Sequence, residues 1–489
     1  MDKIKKYSKE HNELFSEWIA KEKRAFKSGK RRYLHFDPFI NIYKRTSFFK
    51  EYFSKEKNVA SHSFYPFLRS TIKTQKVKWQ IKQDGTKERV WLPFKKREIF
   101  YASHFDAFIF SWYSTILSDR YEEKLKSYCL QNIPIAYRSI EKKCNIDFAK
   151  ETFDHIKERK ECVTIALDFS GFFDNMDHEL LKKSWCAVIN EDKLPKDHYK
   201  IFRNITNFDF IDNDQVLSKY FPFIKFKNDH PKNKRITTPE EFRFLRSIGL
   251  IKKNPFTNQI KNSVRKGAMC GIPQGLPISA TLSNIYLLEF DKILNEYLKL
   301  KDGFYRRYSD DILIVCTKEN LNEIKKIVYH LTDKFELELN HKKTDITEFK
   351  INRNKLQSFY LATKKRKNMQ YLGFEFNGDE IYIRSSSIGR YHRKMKGGSR
   401  EIVKSAFGKK AKGETIFIKK LILKYTNFGK NNFISYSIRA ANSLSSITIK
   451  KQTKNSSEKL KKTLKQKAEN RKSAFKKKKK PIKPIKFFN

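Results

Sequence analysis

The sequence predicts an α+β protein, and three observations predict it. Alternating or clustered β-branched and aromatic residues flank turn signals in "VKWQIKQDGTKERVWLPF" (77–94), "FYRRYSDDILIVC" (304–316) and "MQYLGFEFNGDEIYIR" (369–384), the pattern of strands joined by tight turns. Long stretches between them are charged and apolar at helical spacing. With 489 residues, 39% hydrophobic content and no internal repeat, the chain can bury two or three packed units.

Taken in order, residues 1 to about 75 read as helices rich in Lys and Phe, opening on an amphipathic charged helix rather than a secretory signal. In 77–94, Asp84-Gly85 supplies the hairpin turn. A basic cluster, "KKR", precedes a long helix from about Ser103. "CVTIALDFSGFFDNMDHELLKKSW" (162–185) reads as a buried strand, a turn and a helix, with Asp174 and Asp177 as turn or N-cap acids. Residues 190 to 265 are polar, basic and irregular, an insertion with short helices. "GAMCGIPQGLPISATLSNIYLLEFDKILNEYL" (267–298) is a Gly/Pro loop feeding a helix. The acid-bearing hairpin follows, then a helix running into a strand (320–340), then the 369–384 hairpin and helices to about 448. From 450 the chain reads as a basic, flexible tail that cannot bury a core.

The formal net charge is +51, from 105 Lys and Arg against 54 Asp and Glu. Such an excess repels itself unless a polyanion neutralises it, and nucleic acid is the partner this favours. A codon bias toward Lys, Asn, Ile and Phe would enrich Lys, but it does not explain why the acids fail to keep pace. The 42 Phe and 23 Tyr offer faces for base stacking, although most must be core. Six scattered Cys without metal-ligand spacing read as reduced core residues of a cytoplasmic protein. No apolar run reaches the ~18 residues of a membrane span.

The chemistry concentrates in carboxylates. Asp310 and Asp311 sit side by side at a hairpin tip, where the bland reading is a solvated acidic turn. Asp168 ends a buried strand, where the bland reading is a turn or cap acid. Three carboxylates converging at a sheet edge would instead hold two divalent cations about 3.5–4 Å apart, one activating an attacking hydroxyl and one stabilising a leaving oxygen. Oxygen donors and phosphate suit Mg²⁺. The loop "GIPQGLPIS" (271–279) exposes backbone N–H groups before a helix, and its Gln274 can bond a sugar or base. A helix-entry loop is the equal alternative.

"ALDFSGFFDNMDH", "GIPQGLPISATLSNIYL" and "YSDDILIV", in that order, resemble motifs A, B and C of reverse transcriptases. "LELNHKKT" resembles motif D, "YLGFEF" the primer grip, and "RVWLPFKKREI" the fingers strands before motif A. The resemblance spans about residues 87 to 395. It implies a right-hand polymerase fold: a helical extension (1–75), fingers (76–160), palm (161–378), helical thumb (379–449) and the basic tail. It also implies two Mg²⁺ ions, for which Mn²⁺ can substitute, on Asp168, Asp310, Asp311 and the backbone carbonyl of Phe169. Phe173 matches a steric gate against the ribose 2′-hydroxyl. Gln274, Arg97, Lys95 and Lys96 would contact the incoming nucleotide. Lys343 would protonate pyrophosphate, Tyr308 would buttress the primer end, and Tyr371, Leu372 and Gly373 would form the primer grip.

The implied partners are an RNA template, expected to be a dedicated non-coding RNA, a DNA product and dNTPs, with a homo-oligomer as a further expectation and no membrane. "GDEIYIRSSSIGRYHRKM" and "NFISYSIRAANSL" resemble defence-associated (anti-phage) reverse transcriptases of prokaryotes. A retron- or group II intron-type retroelement enzyme is the alternative within the class. A catalytically inactive RNA-binding scaffold is the alternative outside it, opposed by the intact acids. An RNA-dependent RNA polymerase is disfavoured by Phe173. No HNH endonuclease, protease or RNase H signature is visible.

Overall fold

The computed structural model describes residues 2–30, 32–82, 84–216, 235–254, 269–407, 415–476 and 486–488. Its centre is an antiparallel five-stranded sheet in the order β11-β10-β5-β9-β8, built from β5 (Cys162–Asp168), β8 (Phe304–Tyr308), β9 (Asp311–Cys316), β10 (Asp345–Asn352) and β11 (Lys355–Tyr360). The run "DILIVC" does not alternate because both of its faces are buried. Ile312, Ile314 and Cys316 join the main core, together with Val163, Ile165 and Leu167 of β5. Leu313 and Val315 join a second core behind the sheet. Each such Ile, Leu or Val contributes about 1.5–3 kcal/mol on burial, so the strand carrying one of the paired acids is anchored from both sides.

The main core is completed by the helices His104–Ser127, Ser279–Tyr286, Leu288–Leu300 and Leu321–Lys334. Helix Asp2–Lys27 is bound to the first of these through Trp18, whose ring lies 5.3–6.1 Å from Phe49, Phe53, Phe108 and Trp112. The N-terminal helices end by residue 60. The next segment is a strand, β1 (Phe67–Thr74), so the helical reading to residue 75 is too long. The β-branched Thr71 and Ile72 of β1 take their partners from β4 (Lys95–Tyr101), out of reach of a local reading. Between them β2 (Val77–Ile81) and β3 (Lys87–Trp91) form the expected hairpin.

β1 also pairs in parallel with β6 (Asp209–Asp212), which pairs with β7 (Lys252–Lys253). The segment read as an irregular insertion therefore supplies strands to the four-stranded sheet β4-β1-β6-β7. Much of its remainder, residues 217–234 and 255–265, lies outside the described residues.

Three further differences follow from tertiary partners. Residues 369–384 form a three-stranded meander, β12 (Met369–Tyr371), β13 (Phe374–Phe376) and β14 (Ile381–Ile383), rather than a hairpin. The strand expected after Leu321–Lys334 reduces to one bridge, Phe169 with Leu339. The boundary at 450 falls inside the helix Ile447–Thr453, and Ser456–Lys476 is a helix that buries Leu460, Leu464 and Ala468 against Met395, Val403 and Leu421. Three apolar residues at helical spacing suffice once the helix Ser385–Ala406 offers them a face. The backbone of β16 (Lys486–Phe488) pairs in parallel with β15 (Thr415–Phe417). The six Cys are all free; Cys162, Cys186 and Cys316 are buried, whereas Cys129 is exposed rather than core. Among the described residues no helix is long and apolar enough to cross a membrane.

Candidate active site

The ladder between β5 and β9 sets the site. Asp168 and Asp311 are direct partners across it, which puts their Cα atoms about 4.5–5.5 Å apart. Tyr308 pairs with Asp311 across the β8–β9 hairpin, leaving Ser309 and Asp310 as a two-residue turn. Ser309 takes φ of 60°, the sign a two-residue turn needs at its first position. The three acids thus converge at one end of two neighbouring strands.

Their proximity shows in their electrostatics. Burial, then the negative charges of Asp310 and Asp168, pushes the Asp311 carboxyl up to about 7. Asp311 keeps an open edge to solvent, so it lies at the mouth of a crowded cleft rather than inside the core. Burial raises Asp310 as well, and Asp168 adds to it. Lys343 Nζ donates to Asp168 Oδ1. Its loop is tied to β5 by Asn340 N–H to the Asp168 carbonyl (2.8 Å) and by Ser170 N–H to the Glu338 carbonyl (2.7 Å). Those two bonds do not use the carbonyl of Phe169, whose side chain is core.

The opposite wall comes from β4. The Lys95 ammonium is held below its usual range by burial and by the cations Arg97, Lys343 and Lys76, with Asp168 opposing. Lys95 therefore lies within electrostatic reach of Lys343 and Asp168; Arg97, two residues on, shares its face of β4, and all of Lys95, Lys96 and Arg97 are exposed. The Gly/Pro loop closes the floor. Phe100 N–H donates to the Gln274 carbonyl at 2.8 Å, and Ile272 N–H to the Phe173 carbonyl at 2.8 Å. Gly275 has φ of 110°, and a Cβ there would meet the Phe100 carbonyl oxygen at 2.6 Å, so only glycine allows the loop to lie on β4. Phe173 packs partly buried against the core beside Phe172. Asp177 caps its helix by accepting from Leu180 N–H at 2.8 Å, as its position implied.

Tyr371 is buried and its charge environment includes Asp311 and Arg306. Leu372 and Gly373 form the β12–β13 turn, with φ of 45° and 94°, the primed type that Gly favours. Asn145 Nδ2 fastens that turn, donating to the Leu372 carbonyl (3.1 Å) and to the Tyr436 hydroxyl (2.9 Å). Tyr308 lies near Asp311 and Tyr137.

One element of the site escaped the sequence reading. Arg307 and Asp291 are both 0% exposed and paired at 2.6 Å. Arg307 also donates to the Ser309 carbonyl (3.0 Å) and to Asn284 Oδ1 (3.1 Å), while Tyr305 donates to Asp291 at 2.6 Å. The guanidinium is thus a strut under the acidic turn. Alternation along "FYRRY" was the available signal, since Tyr305 and Arg307 share a face.

Among the described residues no three His, Cys, Asp or Glu side chains stand arranged to enclose a metal ion, and the Lys343 ammonium neutralises Asp168. The donor chemistry still fits hard divalent cations: the donors are all oxygens, and the mutual repulsion of the carboxylates, visible in Asp311, is what a cation would relieve.

Residues 109–376 match the model of the family described as reverse transcriptase (RNA-dependent DNA polymerase). No curated protein matches the chain in sequence. Among solved structures, the chain is similar to an apo telomerase of Candida tropicalis truncated from its C-terminal domain (13% identity, TM-score 0.38), covering 69% of this chain and 60% of that one. It is also similar to a telomerase of Candida albicans in complex with a fragment of telomeric RNA (12% identity, TM-score 0.34), covering 88% of this chain and 67% of that one.

Proposed function

This chain belongs to the reverse transcriptase family, with its right-hand polymerase fold, and from that premise we propose that it copies an RNA template into DNA by adding dNTPs to a primer. The observation that carries the reading is the pairing of Asp168 with Asp311 beside the Asp310 turn, with Lys343 on Asp168 and Lys95 within electrostatic reach of it. Two Mg²⁺ ions, or Mn²⁺ in their place, would be held by Asp168, Asp310, Asp311 and the Phe169 carbonyl, and when bound they supply hydroxyl activation and neutralisation of the leaving group. The primer 3′-hydroxyl gives up its proton to solvent, its oxygen bonds to the α-phosphorus, and the bond from that phosphorus to the α,β-bridging oxygen breaks as pyrophosphate leaves. Lys95 and Arg97 bind the triphosphate, and Gln274 orients the nucleotide on the loop. Phe173 closes on the sugar, excluding a 2′-hydroxyl. Lys343 leaves Asp168 as substrate arrives and protonates pyrophosphate. Tyr371, Leu372 and Gly373 hold the primer, with Tyr308 behind its end.

We assign residues 76–160 to the fingers and 161–378 to the palm, and extend the thumb from 379 to 476. The biological setting we propose is anti-phage defence with a dedicated non-coding RNA, supported by the resemblance of 378–395 and 432–444. Sequencing the nucleic acid that co-purifies tests this setting: a single structured RNA and its DNA copy are expected, and intron or bulk cellular RNA would replace it with the retroelement reading.

The activity is tested by extension of a DNA primer on an RNA template. Wild type should extend with Mg²⁺ and dNTPs, and stop with a chelator. Asp310→Asn and Asp168→Asn should each lose on the order of 100-fold or more while still binding RNA. Normal extension by purified Asp310→Asn would refute the metal assignment.

A further inference from the structure

The hairpin β2–β3 is not absorbed by the site. It prolongs the β1–β4 pair: Leu92 N–H donates to the Lys76 carbonyl at 2.8 Å, and the tip closes with Lys82 N–H to the Thr86 carbonyl at 2.8 Å. Among the described residues no third strand joins it. The register sets Val77 opposite Trp91, Trp79 opposite Arg89 and Ile81 opposite Lys87, so these six share one face. Trp79 is 70% exposed and Trp91 57%, whereas Trp18, Trp112 and Trp185 are buried. The Arg89 guanidinium lies 5.1 Å over the Trp91 ring.

The face is also one-sided in charge. Residues 73–97 carry nine Lys and Arg and two acids. Neither acid lies on the tryptophan face: Asp84 is in the turn, bonded to Thr86, and Glu88 is on the opposite face, paired with Lys82 at 3.2 Å. Two exposed indoles and a guanidinium stacked on one of them, in a cationic field, fit a polyanion whose flat faces are free. That is single-stranded nucleic acid; a duplex presents phosphates but keeps its base faces stacked. At ~3.3 Å per residue along the ribbon, Trp91 and Trp79 stand about 13 and 20 Å beyond Lys95, outward from the acids.

We propose that the Trp79–Arg89–Trp91 face is a stacking platform for unpaired RNA, taking the template bases that have not yet been copied. The assignment of the RNA as template rests on the proposed polymerase function; the binding itself does not. Base-on-indole stacking contributes about 1–3 kcal/mol per base, which corresponds to roughly 5–150-fold in affinity.

The test uses the full chain and its own fluorescence, since the two exposed tryptophans are those a ligand can reach. An unstructured single-stranded RNA oligonucleotide should quench the emission, and a blunt RNA duplex of equal charge should not. Trp79→Ala and Trp91→Ala should each weaken single-strand binding by about 5-fold or more, with duplex binding unchanged. Trp79→Phe and Trp91→Phe, which keep a ring, should retain most of it, and unchanged thermal unfolding checks the fold. Equal quenching by duplex, or unchanged single-strand affinity in the double alanine variant, overturns the proposal. So does a fall in mass by light scattering in the alanine variants with RNA binding intact, which would assign the face to a second copy of the chain. Primer extension is read in parallel. Binding through the ribbon without extension would refute the polymerase reading alone; extension without indole quenching would refute the platform alone.

Discussion

At the scale of single residues, the strut under the acidic turn divides packing from chemistry. Arg307 and Asp291 are charged groups without water, tolerable because Tyr305, Asn284 and the Ser309 carbonyl complete their hydrogen bonds. Asp291→Ala should cost about 3–5 kcal/mol, because it strands a buried guanidinium. Arg307→Met with Asp291→Leu should recover most of that stability in thermal unfolding, yet leave the turn carbonyl without its donor and lower kcat. Full kcat in the double variant would show that the turn holds its shape unaided. Phe173 makes a second residue-level prediction. Phe173→Val opens space beside the sugar and should reduce the preference for dNTPs over NTPs by about 10-fold or more; competition between the two nucleotides measures it, and an unchanged ratio would move the gate elsewhere.

At the scale of elements, the three acids and the strands that carry them were legible because strand period and turn chemistry are local. The acidic hairpin needed only its own residues. What was not legible depended on distant partners. β1 was hidden because its mate β4 begins some twenty residues later, across the ribbon. The Arg307 strut was hidden because an arginine in a strand reads as surface until Asp291 is known to lie behind it. The helix Ser456–Lys476 was hidden by its own charge: Lys dominates its composition, and only Leu460, Leu464 and Ala468 face inward. Leu460→Ala and Leu464→Ala should therefore each destabilise the C-terminal helical unit by about 2–5 kcal/mol, seen as a lower melting temperature or as earlier proteolysis there. A melting curve unmoved by both would return this segment to the status of a solvated tail. The basic surface of the same helix still suits phosphate contacts, so neutralising its exposed lysines should flatten the dependence of RNA affinity on salt without shifting the melt.

At the scale of the whole molecule, the functional parts are dispersed along the chain and across three sheets. Lys95 lies on β4 of the four-stranded sheet and Gly373 in the β12–β13 turn of the meander, whereas the acids stand at the five-stranded sheet, whose middle strand is β5. That central position has a consequence during synthesis. β5 leaves the ribosome about 140 residues before β9, and β10 follows later still. At ~5–20 residues per second, the strand ending in Asp168 waits roughly 7–30 s with both edges unpaired. Unpaired apolar edges are where chains adhere to one another. Protein yield should therefore depend on the tempo of translation between codons 168 and 311: a synonymous gene that slows only this interval should lower the soluble fraction, and one that slows an equal stretch after codon 360 should not.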